Sequence, residues 1–481
     1  MEKNKVIKSL AFKFSERIAV KGIGLLIQVL LARMLAPEAF GQLAVLMVFI
    51  NLSQNFIQSG FNTALVQNKD VTEVDYSTVY YISTAIALLC NVVLFIAAPF
   101  IGGFYEAPEL VLPLRVFAVV LFFGAFNSVQ VARLQKEMRF KETMICNLIA
   151  TIVSGIAGVV CAYAGLGIWA LIIYNMSNVV ISSIVMMFCV RWRPRLIFSM
   201  QRAKVLFGFG WKMLVSSFLC SIYHDLRSLI IGKKFSTEDL AYYNRGQQFP
   251  YIISNTLDEA VQSVMFPTLS GIQDDREKLQ KVLSKSLTLG TFIIVPAMVG
   301  LAGISESFIR FVLTDAWLPA VPYMVVLSLL EIGNPYISTN LVAIKSIGRS
   351  DVYMKMEIIR RIIMTAILAV SVFCFNSVMA IAIAATITYW VDAFVTMIPV
   401  QKLVGYGIIA QLKDTWKNLL CSALMGGVVI LVGMLSIHPA LLMLLQMAIG
   451  ALAYVLFTWL INRKMFDYII ATARGFLKKA H

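Results

Sequence analysis

Seven basic residues, Arg17, Lys21, Lys212, Arg227, Arg245, Arg360 and Arg361, lie inside long apolar stretches of the chain. A charge in such a place is costly unless it faces a wet or protein-lined interior, so each is a candidate for binding an anion. Lys13, Arg17, Lys21, Gly24 and Gln28 recur at three- and four-residue steps, which puts them on one helix face. For Arg17 and Lys21 two readings stay open, a polar cavity or anchoring at the membrane interface. Lys212, Ser216, Cys220, Tyr223 and Arg227 share a second face, with Asp225 beside them. Arg245, Gln248, Asn255, Glu259 and Gln262 share a third. Arg360 and Arg361 are adjacent, so only one of the two can point squarely inward.

Amides accompany these cations. Asn51, Gln54, Asn55, Gln58 and Asn62 form one stripe, which lipid would not tolerate but which a hydrated cavity or a helix interface would. Because amides both donate and accept, they suit the hydroxyls of a sugar. The alternative is interhelical hydrogen bonding. The acids Asp225, Asp258, Glu259 and Asp392 are candidates for ion coupling, or else simple counter-charges: Asp225 for Arg227 or Arg245, Asp258 and Glu259 for Lys212. Asp392 shares a face with Thr388 and Thr396, as a relay would, and Glu331 is a further isolated acid. Buried cations from several helices with amides between them suit a bulky ligand that combines phosphate charge with many hydroxyls, such as a lipid-linked oligosaccharide.

The elements that must position these groups are transmembrane helices. The chain of 481 residues is 59% hydrophobic and only 14% charged, with mean hydropathy +0.81, beyond what a soluble fold can hide. Its apolar runs have the length a helix needs to cross a bilayer, whereas barrel strands would be short and alternating. Spans are placed at about 10–34, 40–65, 79–101, 113–132, 143–164, 167–190, 206–231, 241–266, 286–305, 320–344, 354–375, 378–400, 416–436 and 440–461. The expectation is an all-α integral membrane protein of about 14 helices. With the first residues inside, 29 basic loop residues face the cytoplasm and 5 the other side, which fixes both termini as cytoplasmic by the positive-inside bias. That bias accounts for the net charge of +15 without nucleic acid. The seven cysteines fall in apolar segments with no CxxC spacing, so no disulfide framework, metal site or catalytic group is expected. Gln273 to Lys285 reads as a charged amphipathic helix on the membrane surface. A shift of 200 positions aligns Arg33–Glu38 with Lys233–Glu238, a hint of two parallel halves: residues 1–200, then 201–405, with 406–481 adding two helices and a tail.

Several local motifs carry a resemblance. They are Leu31 to Gly41 (LARMLAPEAFG), Val66 to Lys69 (VQNK), Phe104 to Leu110 (FYEAPEL), Tyr242 to Gly246 (YYNRG), Phe266-Pro267 with Ile272 to Asp275, and Gly348 to Asp351 (GRSD). Their order and spacing resemble the Wzx-type polysaccharide flippases, near the colanic-acid exporter branch of the multidrug/oligosaccharidyl-lipid/polysaccharide exporter superfamily. The resemblance runs from the first span to at least residue 400. It implies two six-helix lobes around a central cationic cavity plus two C-terminal helices. It also implies alternating access and transfer of an undecaprenyl-pyrophosphate-linked repeat unit across the bacterial cytoplasmic membrane, for O-antigen, capsule or exopolysaccharide. Coupling to a proton or sodium gradient or to the membrane potential comes with it, as do membrane lipid and a polymerase and chain-length regulator as partners. The YYNRG motif covers Arg245 directly. Rival readings are a drug/cation antiporter of the same superfamily, which should centre on acids, and a membrane glycan polymerase or ligase, which needs a larger outer loop than this chain has.

Overall fold

The computed structural model describes residues 20–58, 62, 65–66, 71–190, 192–272, 275–468 and 471. Among them are helices and no strand, as expected for a chain whose backbone must satisfy its own hydrogen bonds in lipid. The helices are α1 (20–34), α2 (Pro37–Gln58), α3 (Glu73–Phe104), α4 (Val111–Ala118), α5 (Val120–Lys136), α6 (Phe140–Tyr163), α7 (Ile168–Val190), α8 (Met200–Lys234), α9 (Thr237–Ser270), α10 (Arg276–Val312), α11 (Val321–Glu331), α12 (Asn334–Ser346), α13 (Ser350–Cys374), α14 (Val378–Val404), α15 (Ile408–Gly433) and α16 (Pro439–Ile461). Among the described residues ten helical stretches are long and apolar enough to cross a membrane, with α4–α5 and α11–α12 each counting as one interrupted span. The more polar α8, α9 and α13, which carry most of the candidate charges, fall outside that set. Large apolar side chains such as Phe100 (76% exposed) and Phe373 (87% exposed) face outward, as lipid-facing positions do.

The chain divides into two compact units, Met1–Ala241 and Tyr242–His481. In the first, Ile27 and Leu31 of α1 pack on Ala162, Ala170 and Tyr174, so α1 lies against α6 and α7. Helix α8 packs on α2 and α3. Gly41, inside the Leu31–Gly41 motif, is there because no side chain fits: a Cβ would sit 1.6 Å from the Thr237 carbonyl oxygen at the start of α9. The segment between α7 and α8 is laced to the first turns of α3. Trp192 Nε1 donates to Glu73 at 2.8 Å, and the backbone amides of Arg195 and Ser199 donate to Ser77 and Thr78 at 3.1 and 3.2 Å.

In the second unit, α10 packs on α11, α15 and α16, and α14 on α11, α12 and α13. Helix α10 runs unbroken from Arg276, so Arg276 to Lys285, within the segment expected to form a surface helix at Gln273 to Lys285, is the first turns of this span, and Gln273 lies outside the described residues. Its apolar residues explain why: Leu279, Leu283 and Leu287 share one face and are buried with Tyr336, Met397 and Val404, which anchors the helix into the bundle instead of leaving it on the surface. Asp275 caps it, accepting from the Lys278 amide at 3.0 Å. The break between α11 and α12 falls at Ile332-Gly333, just before Asn334-Pro335, where proline at the first turn starts a new helix more readily than it continues one.

Candidate functional site

The cations sort by what holds them. Arg245 is buried (4% exposed); its guanidinium stacks over the Trp317 ring at 4.9 Å and donates to Gln248 Oε1 at 2.5 Å. The YYNRG motif around it is a packing device. Tyr242 meets Trp317 edge-on and Tyr243 meets Tyr323, while a Cβ on Gly246 would lie 2.8 Å from the Met324 backbone nitrogen, so α9 and α11 touch backbone to backbone. Gln248 is thus engaged by Arg245.

Arg360 is the inward member of its pair. Its side chain is 15% exposed and bridges Glu357 at 2.7 Å and Asp392 at 3.2 Å, while Arg361 (35% exposed) reaches Glu357 at 3.5 Å. Asp392 is buried (8% exposed); the hydroxyls of Thr388 and Thr396 donate to their own helix, to the Ala384 and Ala393 carbonyls.

Arg227 and Lys21 differ from these. Arg227, on α8, is half-buried, and its Nε is sealed from solvent with no hydrogen-bond partner. Neither it nor the exposed Lys21 on α1 forms an ion pair among the described residues. Asp225, two residues from Arg227, is half-buried and engaged within the protein. Arg17 and the side chain of Lys212 lie outside the described residues.

The amide stripe of α2 is divided. Asn55 donates to Ser221 of α8 at 2.6 Å and Asn62 accepts from Ser128 of α5 at 2.9 Å, so these two act as interhelical hydrogen bonds. Asn51 is exposed and Gln54 and Gln58 are half-buried, with no side-chain hydrogen bond for any of the three among the described residues.

The acids of the second unit gather around the α11–α12 break. Asp258 accepts from Ser338 at 2.6 Å and from Gln262 at 3.2 Å, and Glu259 accepts from Asn255 at 3.0 Å; these bonds come from neutral groups. Beside them Asn334 donates to Ser254 at 3.0 Å and accepts from Tyr389 at 3.2 Å, and Glu331 is buried (5% exposed). Ser254, Asn334, Ser338 and Tyr389 were not singled out by helix-face periodicity, because none carries a charge and their partners lie on other helices. The Gly333-Asn334-Pro335 break was the available signal. Among the described residues no cluster of three His, Cys, Asp or Glu can hold a metal ion.

Three comparisons place this geometry. The family model described as polysaccharide biosynthesis protein matches residues 30–322. The chain is 26% identical over 340 residues to the succinoglycan biosynthesis transport protein ExoT of Rhizobium meliloti (strain 1021), covering 71% of this chain and 69% of that one. It is 23% identical over 343 residues to the lipopolysaccharide biosynthesis protein WzxC of Escherichia coli (strain K12), covering 69% of each. In fold it is similar to an inward closed conformation of the lipid II flippase MurJ, with TM-score 0.75 over 95% of this chain and 99% of that one at 18% identity. The matched model spans more than half of the sequence, and ten helical stretches among the described residues are long and apolar enough to cross a membrane: the chain belongs to the polysaccharide biosynthesis protein family and is a multi-pass membrane protein.

Proposed function

We propose that the protein moves a polyprenyl-pyrophosphate-linked oligosaccharide repeat unit across the bacterial cytoplasmic membrane, for assembly of a surface polysaccharide. The observation that carries this reading is Arg227: a half-buried guanidinium with no acidic partner among the described residues is costly in an apolar bundle unless a ligand supplies the negative charge. Lys21 likewise forms no ion pair among the described residues and is assigned the same pyrophosphate. Asn51, Gln54 and Gln58, the open half of the α2 stripe, are suited to glycan hydroxyls. Arg245 and Arg360, already held by Trp317 and Gln248 and by Glu357 and Asp392, position the helices rather than the cargo.

Transport proceeds by alternating exposure of this site to the two faces of the membrane, with both termini cytoplasmic as the loop charges require. Asp258 and Glu331 beside the α11–α12 break, together with Asp392, are the coupling candidates for a proton or sodium gradient. Their burial is also what a drug/cation antiporter would need. Arg227, without an acidic partner among the described residues, argues against that second reading, since an organic cation would be repelled. Polymerase and chain-length regulator are the expected partners.

Deletion of the gene followed by lipid extraction tests the proposal. A glycan on polyprenyl pyrophosphate should accumulate on the cytoplasmic side, and absence of any accumulated lipid-linked glycan, with lost resistance to organic cations, would establish the antiporter instead.

A further inference from the structure

Two cavities in the second unit share a wall. One, of about 610 Å³, lies where the end of α10 meets the α15–α16 turn and is bordered by Glu306, Ser307, Arg310 and Ser436. The other, of about 510 Å³, runs along α10, α15 and α16 and is bordered by apolar residues including Leu301, Met425, Met447 and Ala451. Gln446 lines both. Its amide is fixed there, accepting from Ser307 at 2.6 Å and donating to the Val429 carbonyl at 3.1 Å, so it forms a rigid step between a polar compartment and an apolar one. Each volume falls within the range of ligand sites.

The polar compartment has a defined charge pattern. Arg310 donates from Nε and Nη2 to Glu306 Oε1, both at 3.1 Å, and from Nη1 to Asp315 at 2.9 Å. Of the five guanidinium hydrogens, one on each terminal nitrogen is left to donate. The bonds on Glu306 all fall on Oε1, leaving Oε2 to accept. Two carboxylates against one guanidinium make the site net negative, which disfavours an anionic headgroup. A phosphate on Arg310 with a primary ammonium on Glu306 satisfies both open groups at once.

We propose that this seam is a binding site for a zwitterionic, primary-amine phospholipid, with a phosphoethanolamine headgroup in the compartment of Glu306 and Arg310 and an acyl chain in the apolar compartment beyond Gln446. The seam is built from residues of the second unit, whereas Arg227 and Lys21 belong to the first, and it does not rest on their assignment. It makes the protein's stability depend on the headgroup chemistry of the surrounding bilayer.

The test uses the purified, delipidated full-length chain. Palmitoyl-oleoyl phosphatidylethanolamine, phosphatidylcholine and phosphatidylglycerol are titrated separately and retained lipid is counted by native mass spectrometry. The ethanolamine lipid should bind about tenfold more tightly than the other two, the worth of one charged hydrogen bond. Glu306→Gln should abolish its advantage over the choline lipid, whose ammonium has no hydrogen to donate. Ala451→Trp, which fills the apolar compartment from an exposed position, should weaken all three alike. Equal or tighter binding of the glycerol lipid, or an undiminished ethanolamine preference in Glu306→Gln, overturns the proposal. So does displacement of the ethanolamine lipid by equimolar undecaprenyl phosphate, which would make the seam a cargo-tail groove.

Discussion

Arg202 grips Asp75 through two hydrogen bonds, Nε to Oδ1 at 2.5 Å and Nη2 to Oδ2 at 2.7 Å, and the carboxylate it holds has no exposed surface. Thr72 completes the shell, donating to Asp75 Oδ2 from its amide and its hydroxyl at 2.8 and 2.9 Å. This clamp ties the start of α8 to the first turn of α3. Removing one side leaves the other uncompensated, so Arg202→Ala should destabilise the purified protein by about 2 kcal/mol, less than a fully buried pair because Arg202 is itself 35% exposed. Thermal unfolding in detergent measures this, and Arg202→Lys, which cannot bond bidentately, should recover only part of the loss.

Gly41 gives a steric prediction. Its missing Cβ makes room for the Thr237 backbone, which cannot retreat as a side chain could. Gly41→Ala should therefore cost about 1–3 kcal/mol and lower the amount of protein in the membrane, as a quantitative immunoblot would read. Alanine at Gly22, which has nothing within 4 Å of a built Cβ, is the matched control and should be neutral.

The turn between α5 and α6 carries a pH prediction. Burial raises the Glu137 carboxyl, but hydrogen bonds from Arg139 and Arg133 outweigh it and hold the group below the ordinary glutamate range. A carboxyl lowered in the folded state contributes stability in full above its unfolded value, about 4.3, and loses it as pH falls through the folded value. The unfolding temperature of the wild type should thus drop more steeply below about pH 4.3 than that of Glu137→Gln. Parallel curves for the two proteins would show that the ion pairs contribute nothing.

Arg360 and Asp392 should behave as a pair. Arg360→Ala leaves Asp392 buried without its cation, whereas Arg360→Ala with Asp392→Ala removes both charges, so the double variant should be more stable than the single one. Thermal unfolding of both proteins decides.

The helical architecture was legible because hydropathy over twenty residues is a strong signal, and the ambiguity of Arg360 and Arg361 resolved as helix geometry required, one inward and one out. Long-range partners were not legible. Asp75 and Arg202 are 127 positions apart, and no periodicity links an acid in one first turn to a base in another. The surface helix expected at Gln273 to Lys285 went wrong for a local reason: its charges are those of an interfacial helix, and only the contacts of Leu279 and Leu283 reveal that the face is buried. Arg245 sits in a motif that looks functional, and Trp317, which holds it, is 72 positions further along the chain.

The central claim is that Arg227 meets the pyrophosphate of a lipid-linked glycan. Export of surface polysaccharide by cells carrying Arg227→Ala, matched to wild type for protein in the membrane, measures it most directly. Export should fall at least about tenfold, with Arg227→Lys retaining part of it because a point charge can still meet phosphate. Wild-type export from Arg227→Ala would contradict the account.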